Sequence, residues 1–315
     1  MKKLRIVFFG TPDFAAQTLE YLIAQGLEIA AVVSKPDKAQ GRSKEPQPTP
    51  VKQVALSHNL LLLQPDKVSA PEPSAQLQSL NADLFVVVAY GEIIKQHLLD
   101  MPSLGCINIH ASLLPKYRGA APIQRAIMAG ERYSGITIMH MVKQMDAGDI
   151  IATEKVEITP EMTYGELAQR LCYVGEKLVV QTIEALARHN ASRTVQDHSQ
   201  ATLAPKIELE DSEIHWNLPA QEIHDLVRGT NPEPGAWCKI THKDVIKRLR
   251  IFKTRVHEAS GVPGSILEWG PKRVIVACKE HSIEIIQLQL EGKKVMQADE
   301  LTRGMPQSAF HFAMP

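Results

Sequence analysis

The sequence is poor in the features that most readily betray a chemistry. Its four cysteines, Cys106, Cys172, Cys238 and Cys278, lie far apart with no CxxC pair, which argues against both a zinc knuckle and a disulfide framework. A reducing compartment fits best. The twelve histidines form no HExxH motif and no Cys/His cluster, so nothing in the sequence asks for a metal. An excess of one charge is also missing: Lys plus Arg and Asp plus Glu are 35 each, leaving no global field to attract nucleic acid or an anionic membrane. Any polyanion site must come from local clustering. No window approaches the roughly 20 apolar residues that a spanning helix needs. The basic start Met1-Lys-Lys-Leu-Arg5 leads into a short apolar run at 6–9 that ends at Gly10-Thr-Pro-Asp13, which reads as a first strand rather than a signal peptide. The expectation is a soluble, cytoplasmic protein. There is no internal repeat and no low-complexity tract.

What is present reads first as an alternation. An apolar run at 4–9 is broken by Gly-Thr-Pro-Asp; residues 13–25 then carry Ala15, Leu19, Leu22 and Ile23 at helical spacing and stop at Gly26; residues 28–33 form a second apolar run. Strand, helix, strand predicts a parallel sheet, and further continuous apolar runs follow at 84–89 and 106–109. The lone Gly10 falls short of a GxGxxG fingerprint, so no nicotinamide cofactor follows from the fold. The longest helical pattern spans 163–189, opens on the capping box Thr163-Tyr-Gly-Glu166 and turns Leu167, Leu171, Val174, Leu178, Ile183 and Leu186 inward. An α/β domain over 1–188 is therefore expected, followed by a polar, unpatterned linker over 189–209. From 210 to 315 the texture changes. One helix, 219–228, precedes short strand-like runs at 248–256, 264–269, 273–278 and 282–290, which suggest a small β-barrel.

In Cys106-Ile-Asn-Ile-His110 the apolar residues alternate with Asn108 and His110, so an extended chain puts both polar side chains on one face. The crevice of an open parallel sheet lies beyond the carboxyl ends of its strands, which is where this strand delivers His110. A second strand, 135–141, runs into Met145-Asp-Ala-Gly-Asp149, a Gly-containing loop that presents Asp146. Each residue alone has a plainer reading, as a hydrogen-bonded structural group or a turn residue.

Two stretches are locally basic. Residues 35–52 hold Lys35, Lys38, Arg42, Lys44 and Lys52 against Asp37 and Glu45, with prolines at 36, 46, 48 and 50. Residues 239–255 hold seven basic residues and one acid, Asp244, with Arg248 and Arg250 on one strand face. From charge alone these are a solvated loop and a solvated strand face. They also suit phosphate contacts, which position nucleic acid, and a positive groove on a small barrel is a recurring platform for it.

The string Asn108-Ile-His-Ala-Ser-Leu-Leu-Pro-Lys-Tyr-Arg-Gly-Ala-Ala-Pro-Ile-Gln124, with Gly135-Ile-Thr-Ile-Met139 and Asp146-Ala-Gly-Asp149, resembles the folate-dependent formyltransferases. Phe9-Gly-Thr-Pro-Asp-Phe14, the loop Lys35-Pro-Asp-Lys-Ala-Gln-Gly-Arg42 and the second domain extend the likeness to members that act on an aminoacyl-tRNA. The resemblance implies a Rossmann-like first domain, an OB-like second domain and 10-formyltetrahydrofolate as formyl donor. It implies transfer to the α-amino group of methionyl initiator tRNA, with no metal and no obligate protein partner evident.

Carried over residue by residue, Asn108, His110 and Asp146 fall on the family's catalytic trio. Val88, Ala89, Tyr90 and Gly91, mainly through backbone, and Ser112, Leu113, Leu114 and Pro115 would line the folate pocket. Lys38, Arg42 and Lys44 would meet the acceptor stem, Lys206 in the linker would bridge two basic surfaces, and Lys247, Arg248 and Arg250 would complete the tRNA contacts. The nearest rivals are a relative acting on an amino sugar nucleotide or a purine-pathway amine. A non-catalytic RNA-binding module would need the basic strip without the trio.

Overall fold

A computed structural model of the chain describes residues 4–39, 45–242 and 245–312. It divides into two compact units that are not contiguous in sequence: Met1–Gly119, Tyr133–Glu157 and Ala168–Leu203, then Ala120–Arg132, Ile158–Leu167 and Ala204–Pro315. Arg42 and Lys44 of the basic loop lie outside the described residues.

The chain begins β1 (Arg5–Gly10), α1 (Asp13–Ala24), β2 (Glu28–Val33), β3 (Lys38–Ala39), β4 (Pro46–Gln47), α2 (Pro50–Ser57), β5 (Leu62–Leu63), α3 (Pro71–Ser79), β6 (Leu84–Val88), α4 (Gln96–Leu99) and β7 (Cys106–His110). It continues α5 (Pro122–Met128), β8 (Tyr133–His140), β9 (Ile150–Glu157) and α6 (Tyr164–Ala187). Seven strands form one sheet in the order β5-β2-β1-β6-β7-β8-β9. The first five are parallel, and the continuous apolar runs of β1, β2, β6 and β7 are largely buried, as helix-covered strands require, while the two-residue edge strand β5 is half-buried. The expected parallel sheet carries two antiparallel strands at one edge: β8 runs against β7 and β9 against β8, so the loop 141–149 joins two antiparallel neighbours.

Two other expectations change in detail. Residues 35–52 are not a single loop. Lys38–Ala39 pairs with Pro46–Gln47, and Pro50 opens α2 rather than breaking structure, because its fixed φ and missing N–H suit the first helical position. Thr49 caps that helix by accepting from the Lys52 N–H at 3.1 Å. Along α6 the buried stripe runs through Leu171, Gly175, Val179, Ile183 and Leu186, leaving Val174 and Leu178 half-buried. The stripe tracks 3.6 residues per turn, a phase that the apolar residues alone do not resolve where a glycine stands on it. The capping box forms as expected, with the Thr163 N–H donating to Glu166 at 2.8 Å and the Glu166 N–H donating back at 3.3 Å.

The second unit contains α7 (Ala220–Gly229), β10 (Ala236–His242), β11 (Val245–His257), β12 (Ile266–Trp269), β13 (Val274–Ala277), β14 (Ser282–Leu290), β15 (Met296–Gln297), α8 (Ala298–Gly304) and β16 (Phe310–Phe312). Its antiparallel sheet runs β12-β13-β14-β11-β10-β16 and curls into a nearly closed barrel around Trp216, Leu249, Ile251, Val276 and Ile283. The two edge strands meet through side chains: the rings of Trp269 and Phe310 lie 4.8 Å apart. Among the described residues no helix is long and apolar enough to cross a membrane.

Candidate active site and nucleic-acid interface

Parallel pairing aligns Val87 with Asn108 and Gly10 with Val88, so β1, β6 and β7 end together at one rim of the sheet. Thr11, just beyond β1, donates to the Tyr90 carbonyl at 2.9 Å and ties two of these exits together. His110 ends β7 and is 5% exposed.

The loop 141–149 folds back so that Asp146 reaches the Asn108–His110 face. His110 Nδ1 lies 3.6 Å from Asp146 Oδ2, and Asn108 Nδ2 lies 3.5 Å from Asp146 Oδ1. His110 Nε2 lies 2.8 Å from the Tyr117 carbonyl. A carbonyl only accepts, so Nε2 must carry a proton and Nδ1 is the nitrogen left to exchange one, facing the carboxylate. The Gly119 N–H donates to Asp146 Oδ2 at 2.8 Å. Asp146 itself sits at φ 50, in the left-handed region that Asp tolerates better than most residues. The structure thus brings Asn108, His110 and Asp146 together. The orienting groups, Tyr117 C=O and Gly119 N–H, belong to the backbone, so side-chain chemistry gave no signal for them.

Cys106 starts the same strand but is no nucleophile. Burial, with Asp100 next, pushes its thiol up to about 12, so it stays protonated near neutrality.

The residues expected around a folate fall in two groups. Val88 and Tyr90 turn their side chains into the core, with Tyr90 edge-on to Phe9 at 5.6 Å, while Ala89 and Gly91 are exposed and have positive φ. Only backbone and the small side chains of that stretch are open. The Tyr90 hydroxyl is buried without a partner among the described residues, and burial raises its pKa. In the second group, Thr137 donates to the Ser112 carbonyl at 2.7 Å and accepts from the Leu114 N–H at 3.1 Å, fixing the turn that leads to the cis Leu114–Pro115 bond. Leu113 packs over Gly135, where an added Cβ would meet both Leu113 and the Glu154 carbonyl.

The expected RNA contacts are less concentrated. Lys38 is exposed, but Lys35 and Lys52 of the same stretch are engaged within the fold, with Glu92 and Asp37, each at 2.6 Å. The Lys52 hydrogen bond, then that of Gln64, holds the Asp37 carboxyl below its usual range. On the barrel, Arg248 pairs with Lys239 across β10–β11, and Arg250 shares its outward face. Arg248 lies over the Trp237 ring at 4.3 Å, and Arg250 donates to the Pro234 carbonyl. Lys247 does not join them: strand alternation turns it to the face of the buried Leu249 and Ile251. Lys206 is exposed, 3.4 Å from Glu208.

Comparison with known proteins bears on this geometry. Residues 4–183 match the family model described as formyl transferase, and 206–306 match that of the formyl transferase C-terminal domain. The chain is 54% identical over 312 residues to a methionyl-tRNA formyltransferase of Protochlamydia amoebophila, covering 99% of this chain and 98% of the relative. It is 44% identical over 305 residues to that of Moorella thermoacetica, covering 96% and 97%. Among solved structures, an N-formyltransferase from Helicobacter canadensis in complex with folinic acid and dTDP-3-aminofucose is 18% identical with a TM-score of 0.66, over 90% of this chain and 99% of that one. HypX from Aquifex aeolicus in complex with tetrahydrofolic acid is 17% identical with a TM-score of 0.65, over 95% of this chain and 47% of that one. At those identities the likeness concerns the fold alone. Full-length identity to the curated relatives decides the matter: the chain belongs to the methionyl-tRNA formyltransferase family.

Proposed function

We infer that this enzyme acts in the cytoplasm, moving the formyl group of 10-formyltetrahydrofolate onto the α-amino group of methionyl initiator tRNA at the Asn108–His110–Asp146 site. Names of close relatives support the acceptor, and folates in the more distant structures support the donor class. The observation that carries the chemistry is the committed Nε2 of His110, which leaves Nδ1 and the Asp146 carboxylate facing one another beside the Asn108 amide.

Attack by a neutral amine on the formyl carbon makes a tetrahedral oxyanion. Asn108 has an amide N–H to donate to that oxygen, a contribution whose loss elsewhere lowers rate by about 10² to 10³. Asp146 and His110 take the proton released by the attacking nitrogen, and Nδ1 returns a proton to the folate nitrogen as its bond to the formyl carbon breaks. Asp146 also stabilises the imidazolium formed on the way. This scheme needs no metal. Residues 1–188 hold the chemistry, and the Lys38–Arg42–Lys44 loop, Lys206 and the Arg248–Arg250 face of 210–315 hold the tRNA; Val88 to Gly91 and Ser112 to Pro115 line the donor.

Transfer of labelled formyl from 10-formyltetrahydrofolate to methionyl initiator tRNA, methionyl elongator tRNA and free methionine tests the reading. Efficient labelling of the initiator and poor labelling of free methionine are expected. Equal efficiency with free methionine would remove tRNA from the assignment.

A further inference from the structure

Gln196 is 4% exposed and lies outside the 106–149 stretch that carries the trio, in the segment before Leu203. Its surroundings fix which end of its amide points where. Arg118 Nη2 donates to Gln196 Oε1 at 2.6 Å, and a guanidinium has no acceptor to offer. Gln196 Nε2 therefore faces the other way, where it donates to the Gly148 carbonyl at 2.7 Å and to the Asp146 carbonyl at 3.0 Å. Both carbonyls belong to the loop whose left-handed residue is Asp146.

The other end of this contact returns to the same place. Arg118 is 5% exposed, and a buried guanidinium must be hydrogen-bonded to be tolerated; it holds Gln196 and, at 2.9 Å, His198 Nδ1. Its neighbours Tyr117 and Gly119 supply the backbone groups that orient His110 and Asp146. The backbone of this turn is fastened in turn to the Gln196 segment, with the Tyr117 N–H donating to Thr202 Oγ1 and the Arg118 N–H to the Thr202 carbonyl, both at 2.8 Å. One closed circuit thus runs from the Asp146 carboxylate through Gly119, Arg118 and Gln196 to the Asp146 backbone.

We propose that Gln196, braced by Arg118, is a positioning residue for formyl transfer: it holds the Asp146 loop so that the carboxylate meets His110 Nδ1. This rests on the reading of Asp146 as catalytic. Displacing a reacting group by about 1 Å costs on the order of 10² in rate even from a distance, so loss of the bracket should appear in turnover rather than in binding.

Gln196→Glu keeps the side-chain length and the Arg118 contact but replaces the donor to two carbonyls with oxygen. The expected result is a kcat lowered by about 10- to 100-fold, with KM for donor and aminoacyl-tRNA changed less than about threefold and the thermal midpoint retained. Put into Asp146→Ala, the same substitution should lower turnover by less than about twofold further, because it acts only through Asp146. If Gln196→Glu does not fold, Arg118→Lys, which keeps the charge but loses the fork, is measured in the same two backgrounds, with the same fall in kcat expected in the parent and a smaller one in Asp146→Ala, where only the part carried by Tyr117 and His110 remains. Normal kcat in a folded variant, a change confined to KM, or an equal loss in the Asp146→Ala background would overturn the proposal. Near-normal turnover in Asp146→Ala alone would instead sink the catalytic reading on which it rests.

Discussion

The Asn108–His110–Asp146 site and the Arg248–Arg250 face of the barrel use polar residues in opposite ways. At the first, His110 is 5% exposed, and the contacts that orient it and Asp146 are 2.8 Å bonds to backbone. At the second, Arg248 is exposed and Arg250 half-buried, with Lys239 alongside. Proton transfer depends on tenths of an ångström, so its groups must be immobilised and dried. Recognition of a polyanion works through many partly screened contacts, so its groups keep reach and stay in water. On the proposed reading, substitution within the trio should therefore cost far more than substitution on the cationic face, which should degrade one charge at a time.

The most direct way to break the comparison is to remove each member of the trio. Asn108→Ala, His110→Ala and Asp146→Ala should each lower kcat by about 10² or more in folded protein, and the double variants should lose less than the product of the singles. Turnover within a factor of a few of the parent in any one of them would take that residue out of the immobilised set.

A second substitution probes the same region through packing. Gly135→Ala forces a Cβ against Leu113 and the Glu154 carbonyl. Overpacking of this kind costs about 1 to 3 kcal/mol. Chemical denaturation should register that loss, with the donor KM rising as Leu113 shifts. A stable variant with unchanged KM would mean that the Leu113 turn is not held to the tolerance inferred for the site.

The cationic face predicts smaller, graded effects. Arg248→Ala and Arg250→Ala should each weaken tRNA binding and reduce the slope of log affinity against log salt by about 0.7 to 0.9, one phosphate's counterion, while kcat at saturating tRNA stays unchanged. Lys247→Ala, whose side chain shares the Leu249 face, should leave the slope alone. A kcat effect from Arg248, or a full slope change from Lys247, would dissolve the division of labour.

The two regions were also unequally legible in the sequence. Period-two alternation put Asn108 and His110 on one face, and it equally separates Lys247 from Arg248 and Arg250. Continuous apolar runs located β1, β2, β6 and β7, because strands buried on both faces leave little room for polar residues. What alternation could not carry was anything made by backbone: the Tyr117 carbonyl, the Gly119 N–H and the left-handed Asp146. Short helices opening on Pro50, Pro71 and Pro122 also escaped, since a proline that starts a helix looks the same in sequence as one that breaks a strand. Gln196 could not have been found. Its partners are 78 residues away at Arg118 and 48 away at Gly148, and the contacts exist only once the chain has folded.

The smallest expected effect separates the regions by pH. The unit that holds the trio contains His140, which ends β8 and begins the loop that carries Asp146. Burial, then Arg193, depresses its pKa, and Asp149 opposes the shift more weakly. A histidine whose folded pKa lies below its unfolded value, near ~6.5, binds fewer protons folded than unfolded across the interval between the two. Its contribution to stability is complete above that unfolded value and declines as pH falls through the interval, levelling off below the folded pKa. The parent should therefore lose stability on acidification from about pH 6.5 downward, and His140→Gln, which cannot titrate, should lose less over the same range. The β8 N–H to Asp149 carbonyl bond at position 140, 2.9 Å, is backbone and survives the substitution, so the variant tests the titration and not the strand. Parallel stability curves for parent and variant from pH 7 to 5 would mean that His140 titrates alike in both states, and that acid acts on the unit that holds the trio through other groups.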